Sequence, residues 1–304
     1  MSIDLVVPEE VELTTLLDEL RKLCWASADV LMAYARGEQP PYGFPRSLTV
    51  EEGGDGPVSA ADMAVNELLI SGLQDNLTFK EWDILSEETS KEKTFQLENY
   101  KKDWCWIIDP LDGTKDFLQG SENYAVHIAL AYKEKPKLGI VLIPEKNELW
   151  FGIIGIGAWF ENRDGSKKNF SFSERIDIPK LVLVSSKNHQ QSKLKKLLST
   201  LCFAETKKIG SVGCKIASIM RGEADVYISI SGQTSPKDWD MAAPHVLIEA
   251  AGGMFSHADG TNLTYQQTNY SQPGCLIASH GKSHKKICQK AMEFFSLEES
   301  KFVV

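Results

Sequence analysis

The run Trp104-Cys105-Trp106-Ile107-Ile108-Asp109-Pro110-Leu111-Asp112-Gly113-Thr114 constrains this chain more than any other stretch. Five apolar residues lead into two carboxylates among residues that interrupt extended backbone, because Pro110 brings no N–H to a ladder and Gly113 permits a tight turn. The pattern predicts a strand stopped at Pro110–Gly113, with Asp109 and Asp112 at its carboxyl end. Carboxylates held about a turn apart repel unless a cation or proton intervenes, so this pair is a candidate ligand set for a hard divalent ion. Thr114 adds a hydroxyl suited to orient a water or grip a phosphate. An ordinary polar turn uses the same residue types.

In aspartyl-phosphate phosphatases the two acids stand two apart after the first strand. Here they stand three apart, with about a hundred residues before them, which favours metal ligation over a phosphoaspartate.

A chain of 304 residues with 42% hydrophobic content can bury a substantial core in one large domain or two lobes. The net charge of -9 gives no general attraction for nucleic acid polymers or anionic membranes, so an anionic substrate needs local cations. Cys24, Cys105, Cys202, Cys214, Cys275 and Cys288 form no C-x-x-C pair. Buried reduced thiols are the simplest account, pointing to a cytosolic compartment and away from zinc. MSIDLVVPEEVEL lacks a basic, apolar leader pattern, and no run approaches bilayer-spanning length, so the reading is a soluble, cytoplasmic protein.

Leu13, Leu16, Leu17, Leu20, Leu23, Val30 and Leu31 recur at helical spacing between acids and Gly37, predicting a long amphipathic helix. A Pro/Gly-rich stretch to residue 58 reads as a mobile loop or hairpin. Ser59 reads as an N-cap for the next helix, with Asp62 in a capping-box position. DILSEETS at 83 to 90 reads as a short strand ending in Glu87 and Glu88. NYAVHIALAY, KLGIVLIP, ELWFGIIG and GAWFEN predict consecutive antiparallel strands. From LVLVSS at 181, strands alternate with helices, the last helix ending near Phe295. The division expected is 1–180, an N-terminal α+β lobe with most metal ligands, and 181–304, a C-terminal α/β lobe with Asp240 and substrate-recognition segments.

Each acid has a dull explanation alone; Asp240, for example, complements a helix dipole. Together, SEE at 86 to 88, DPLDGT at 109 to 114, WDMA at 239 to 242 and Gly252-Gly253 form an ordered set. That set closely resembles the inositol monophosphatase superfamily of magnesium-dependent, lithium-sensitive phosphatases, from about residue 13 to the final helix. LDGTKDF, GEADVYISISG and the SS-x-x-H segment at 185 to 189 are most similar to its 3′(2′),5′-bisphosphate nucleotidase branch.

The resemblance implies an α/β (α+β) fold, a layered αβαβα sandwich of two lobes with the active site between them. It makes Glu87, Asp109, Asp112, Asp240 and the Leu111 carbonyl ligands of two to three Mg²⁺ ions. Asp62 and Thr114 match the pair that orients and deprotonates the attacking water, with Glu88 as a supporting catalytic residue. Gly113 and Thr114 are expected to receive the phosphate on backbone N–H groups. Ser185, Ser186, His189, Ser211, Lys215, Lys115, Lys237 and Asp240 are the candidate substrate contacts. Gly210-Ser211-Val212-Gly213-Cys214-Lys215 departs from the nucleotidase pattern by one position and is closer to the inositol phosphatase form, so Lys215 faces elsewhere if that spacing decides.

The expected reaction is removal of one phosphate from adenosine 3′,5′-bisphosphate or its 5′-phosphosulfate relative. The rivals are an inositol or sugar-bisphosphate phosphatase and a non-catalytic binder of phosphorylated metabolites. The expected partner is a small phosphorylated metabolite; family members are often dimers, so a homodimer is an expectation by analogy.

Overall fold

In the computed structural model, which describes residues 6–8, 11–53, 56–75, 82–90, 102–187, 192–231, 235–267 and 269–300, the first helix, α1, spans Leu13–Ala35. Glu12 starts it by accepting the Thr14 and Thr15 backbone N–H groups, and Gly37, at φ +67°, takes the chain out of it. The Pro/Gly-rich stretch ends in a hairpin, β1 (Val50–Gly53) with β2 (Gly56–Ser59), which runs directly into α2 (Ala60–Asp75).

Seven strands then form one sheet in chain order: β3 (Asp83–Ser86), β4 (Trp104–Asp112), β5 (Ala125–Tyr132), β6 (Lys135–Ile143), β7 (Glu148–Ile153), β8 (Gly157–Glu161) and β9 (Lys167–Lys168). Two short helices interrupt it, α3 (Glu87–Ser90) and α4 (Thr114–Leu118). Among the described residues of this sheet, only the β3–β4 pair is parallel. The second sheet holds β10 (Val182–Ser185), β11 (Glu205–Lys208), β12 (Val226–Ile230), β13 (Met254–His257) and β14 (Cys275–Ser279), in the order β11-β10-β12-β14-β13. Its helices are α5 (Ser192–Leu201), α6 (Val212–Met220), α7 (Asp238–Ala250) and α8 (His284–Ser300).

Alternation along the strands sorts these elements into layers. Trp106 and Ile108 of β4 face Leu20 and Leu31 of α1 and Val65 of α2, while Cys105 and Ile107 face the opposite way. On that opposite side, Val141 and Trp150 share one core with Ile216 of α6, Leu247 of α7, and Tyr227 and Leu276 of the second sheet. Beyond the second sheet, Leu183 and Ile277 pack on Leu197 of α5 and Ile287 of α8. The result is five layers, α, β, α, β, α, with α6 and α7 buried between the sheets. The packing of α7 is close: a Cβ on Gly139 would stand 2.6 Å from Ala243 O, and one on Gly152 would stand 2.8 Å from Leu247 Cα.

Pro110 does not end its strand. β4 runs on to Asp112, and the register slips from Asp109 opposite His127 to Asp112 opposite Ala125, three residues advancing against two. A bulge of this kind leaves backbone groups unpaired, so a residue without an N–H costs nothing there. β3 ends at Ser86, opposite Ile108, which frees the other edge of the same segment. β11 and β13 were not expected. The first is a polar edge strand, Glu-Thr-Lys-Lys, and the second is four residues long, so neither carries a readable alternation. Cys202 is exposed, against the expectation of six buried thiols. Among the described residues, no helix is long and apolar enough to cross a membrane.

Candidate active site

The bulge that carries β4 past Pro110 sets Asp109 and Asp112 on the same side as the first turn of α7, where Asp240 lies. One carboxylate oxygen from each of Asp109, Asp112 and Asp240 lies within 4.8 Å of the others. Glu87, at the start of α3, lines the same cavity as Asp112 and Asp240. That cavity, of about 200 Å³, opens where β10 and β12 end, with Ser186 on one wall and Ser229, Ile230 and Lys237 on another.

One oxygen of each acid is held by the protein. Asp109 Oδ1 accepts the Leu111 N–H at 3.0 Å, Asp240 Oδ2 accepts the Lys237 N–H at 2.6 Å, and Asp112 Oδ2 accepts the Ser211 hydroxyl at 2.6 Å and the Gly213 N–H at 3.1 Å. Each carboxylate therefore keeps one oxygen for something else. Asp109 Oδ2 is buried and has no hydrogen-bond partner. An orphaned carboxylate oxygen among other acids is a costly arrangement without a cation. The protonation balance agrees. Burial, then Glu87, Asp112 and Asp240, push the Asp109 carboxyl well above its usual range, and burial with Asp112 and Glu87 lifts Asp240 to about 8. Burial also works to raise Asp112, but the His127 ring, Lys215 and Ser211 outweigh it and hold that group below the usual range. Single oxygens from several acids suit a small, hard cation that retains waters.

A second pair stands beside this cluster. Thr114 Oγ1 is 3.0 Å from Asp62 Oδ1 and 3.1 Å from Leu111 O, so its single proton goes to one of two acceptors. Asp62 does cap α2, its Oδ2 accepting both the Ser59 N–H and the Ser59 hydroxyl. Burial lifts its carboxyl to about 6 against those Ser59 hydrogen bonds.

The remaining residues fall in different places. Glu88 is buried beside Glu87, in the same helical turn. Gly113, at φ +95°, begins α4, and Lys115 is exposed on it. Lys215 lines the cavity despite its displaced position, with Nζ 2.5 Å from Gly210 O and 5.3 Å from the Tyr227 ring centre. Lys237 lines the same cavity, its Nζ donating to Asn269 O and Ser271 Oγ. Ser185 is buried and its hydroxyl accepts from Lys208 Nζ, because neighbouring residues of a strand point opposite ways and Ser186 takes the cavity side. Ser211 caps α6 through Cys214 N–H and gives its only proton to Asp112, leaving none for a ligand. His189 lies outside the described residues.

His127, Asp116 and Tyr227 were not singled out from the sequence. His127 has the clearest signal, a polar residue in the otherwise apolar run Ala125–Ala131. Asp116 is buried and paired with Lys187 at 2.7 Å, and Tyr227 forms part of the cavity wall.

The 3′(2′),5′-bisphosphate nucleotidase CysQ of Escherichia coli K12 is 31% identical to this chain over 86% of it and 99% of its own length. The Buchnera aphidicola protein of the same name is 33% identical over 69% of this chain and 74% of its own. The crystal structure of the Thermotoga maritima IMPase has the same fold, with a TM-score of 0.71 at 22% identity over 93% of this chain and 98% of its own. The sequence model of the inositol monophosphatase family matches residues 13–294, so the chain, with its acidic cluster at the meeting of two sheets, belongs to that family and is a phosphatase.

Proposed function

We propose that the chain removes one phosphate, by hydrolysis, from adenosine 3′,5′-bisphosphate or its 5′-phosphosulfate form at this cavity, with magnesium as cofactor. The observation that carries the choice of substrate is the cavity wall. Tyr227, Trp239, Ile230 and Pro236 give it apolar surface beside Lys215 and Lys237, a mixture that suits a base and ribose together with anionic groups. The names of the Escherichia coli and Buchnera relatives support the same choice.

In this reading Glu87, Asp109, Asp112, Asp240 and the Leu111 carbonyl hold two to three magnesium ions. Bound there, the cations would neutralise the acids and polarise phosphoryl oxygens. Asp62 and Thr114 handle the proton. With its own hydroxyl hydrogen directed at Asp62, Thr114 accepts from a water and fixes its orientation, and Asp62, nearly poised between its two states, takes up the proton as the water attacks. The first N–H groups of α4 lack intrahelical acceptors and would receive the phosphate. Asp116 holds the segment that follows β10, through Lys187, against α4.

A second reading, an inositol phosphate or sugar-bisphosphate phosphatase, is favoured by the Lys215 ammonium being turned to Gly210 O rather than standing free for a second phosphate. Phosphate release from adenosine 3′,5′-bisphosphate, inositol 1-phosphate and fructose bisphosphate, each with and without Mg²⁺, separates the two. Preference for the nucleotide is expected. Preference for inositol 1-phosphate would overturn the choice of substrate and leave the family standing.

A further inference from the structure

We propose that His127 is a positioning residue for cation binding, its buried ring joining the two distant chain segments that supply Asp112 and Asp240. The inference rests on the reading of the acid cluster as a cation site. His127 lies on β5 with no exposed surface. Its Nδ1 is 3.3 Å from the carbonyl oxygen of Trp239, the residue immediately before Asp240, and a carbonyl only accepts, so the Nδ1 proton points there. Its Nε2 is 3.2 Å from Asp112 Oδ2, off the line of a hydrogen bond. One ring therefore touches the β4 bulge on one side and the first turn of α7 on the other.

Gly213 is matched to this ring. A Cβ at position 213 would stand 2.4 Å from His127 Nε2 and 2.7 Å from Val141 Cγ1, and both neighbours are fully buried. The same glycine donates its N–H to Asp112 Oδ2 at 3.1 Å. The departure of this chain at Gly210–Lys215 thus gains a physical reason: a glycine three residues after Gly210 admits the imidazole. Ser211 and Gly213 hold Asp112 Oδ2 by hydrogen bonds and the His127 ring packs against the same oxygen, which leaves Asp112 Oδ1 unengaged, and residues that fix a ligand in this way commonly set metal affinity by tenfold or more. A histidine that merely fills a core position would affect folding stability and nothing else.

The test is calorimetric titration of Mn²⁺ and Mg²⁺, without substrate, into the wild-type protein, His127→Phe, Gly213→Ala and the double variant. Phe keeps the ring and removes both nitrogens, and Ala displaces the ring while leaving its chemistry intact. Each single variant is expected to bind Mn²⁺ about tenfold more weakly, and the double variant no more weakly than either single one, because both act through one contact. Wild-type affinity in His127→Phe, or losses that add in the double variant, would overturn the proposal. Should His127→Phe fail to fold, an unchanged affinity in Gly213→Ala overturns it equally. A wild-type protein that takes up neither ion removes the cation reading itself, an outcome distinct from the others.

Discussion

Thr114 Oγ1 and Asp62 Oδ1 stand 3.0 Å apart although 52 positions separate them in the chain. The contact joins the start of α2 to the start of α4. Replacing Asp62 by Asn keeps the shape and removes the proton acceptor. The expected result is a fall in kcat of about 10²–10⁴-fold with Mn²⁺ affinity preserved. Steady-state kinetics beside a cation titration decides it, and a loss of cation binding would assign Asp62 to the ligand set instead.

Asp240 illustrates the opposite balance of stability and activity. Its carboxyl is lifted to about 8 by burial, Asp112 and Glu87, so in cation-free protein it weakens the fold. Asp240→Asn is expected to melt no lower than the wild type in EDTA while losing turnover. Mg²⁺ should stabilise the wild type, by about 2.7 kcal/mol at a hundred times its dissociation constant, and leave the variant almost unmoved. Thermal melts with and without Mg²⁺ check both halves.

The contact of α7 with β7 leaves no room at Gly152, where an added methyl would meet Leu247 backbone at 2.8 Å. Gly152→Ala is expected to cost about 1–3 kcal/mol through overpacking, measured by urea unfolding. Gly155→Ala, three positions on, is a poor control because its φ is +84°; Ala158→Gly on the neighbouring strand is better.

His284 predicts a pH dependence of stability. It is buried between the Ser256 and Ser279 hydroxyls, at 2.8 and 2.9 Å, and burial pushes its pKa down to about 4. Between the unfolded value near 6.5 and about 4, the unfolded chain takes up a proton that the folded one refuses. Stability from this group is thus full above about pH 6.5 and falls by roughly 3 kcal/mol as the pH drops through that window. His280 and His257 shift in the same direction, so the measure is the difference between the wild type and His284→Gln. Equal slopes for the two proteins would exclude His284 as a source.

The acids were legible in the sequence because a strand delivers Asp109 and Asp112 into residues of unusual backbone, and because WDMA begins a helix. Their convergence was expected through the family resemblance alone; the bulge at Pro110 that produces it was not, because sequence reads that proline as a stop. Asp62 looked like a cap and is one, with its second oxygen free for Thr114. Ser185 and Ser211 illustrate the limit of position-by-position transfer: both stand near the cavity, yet their hydroxyls are engaged by Lys208 and Asp112. The long strands and helices followed from apolar periodicity and the layer order from the family resemblance, while the polar edge strand β11 and the short β13 carried no periodicity to read.

Helix α7 is enclosed by a sheet on each face, and its opening turn holds Asp240. Enlarging side chains along that helix would wedge the sheets apart and spread the acids, so drift there is tightly confined. Ser186, Ile230 and Lys237 line the cavity and are only half-buried, so side chains there can change size without moving either sheet, whereas the carboxylate of Asp240 is as fixed in place as the helix that carries it.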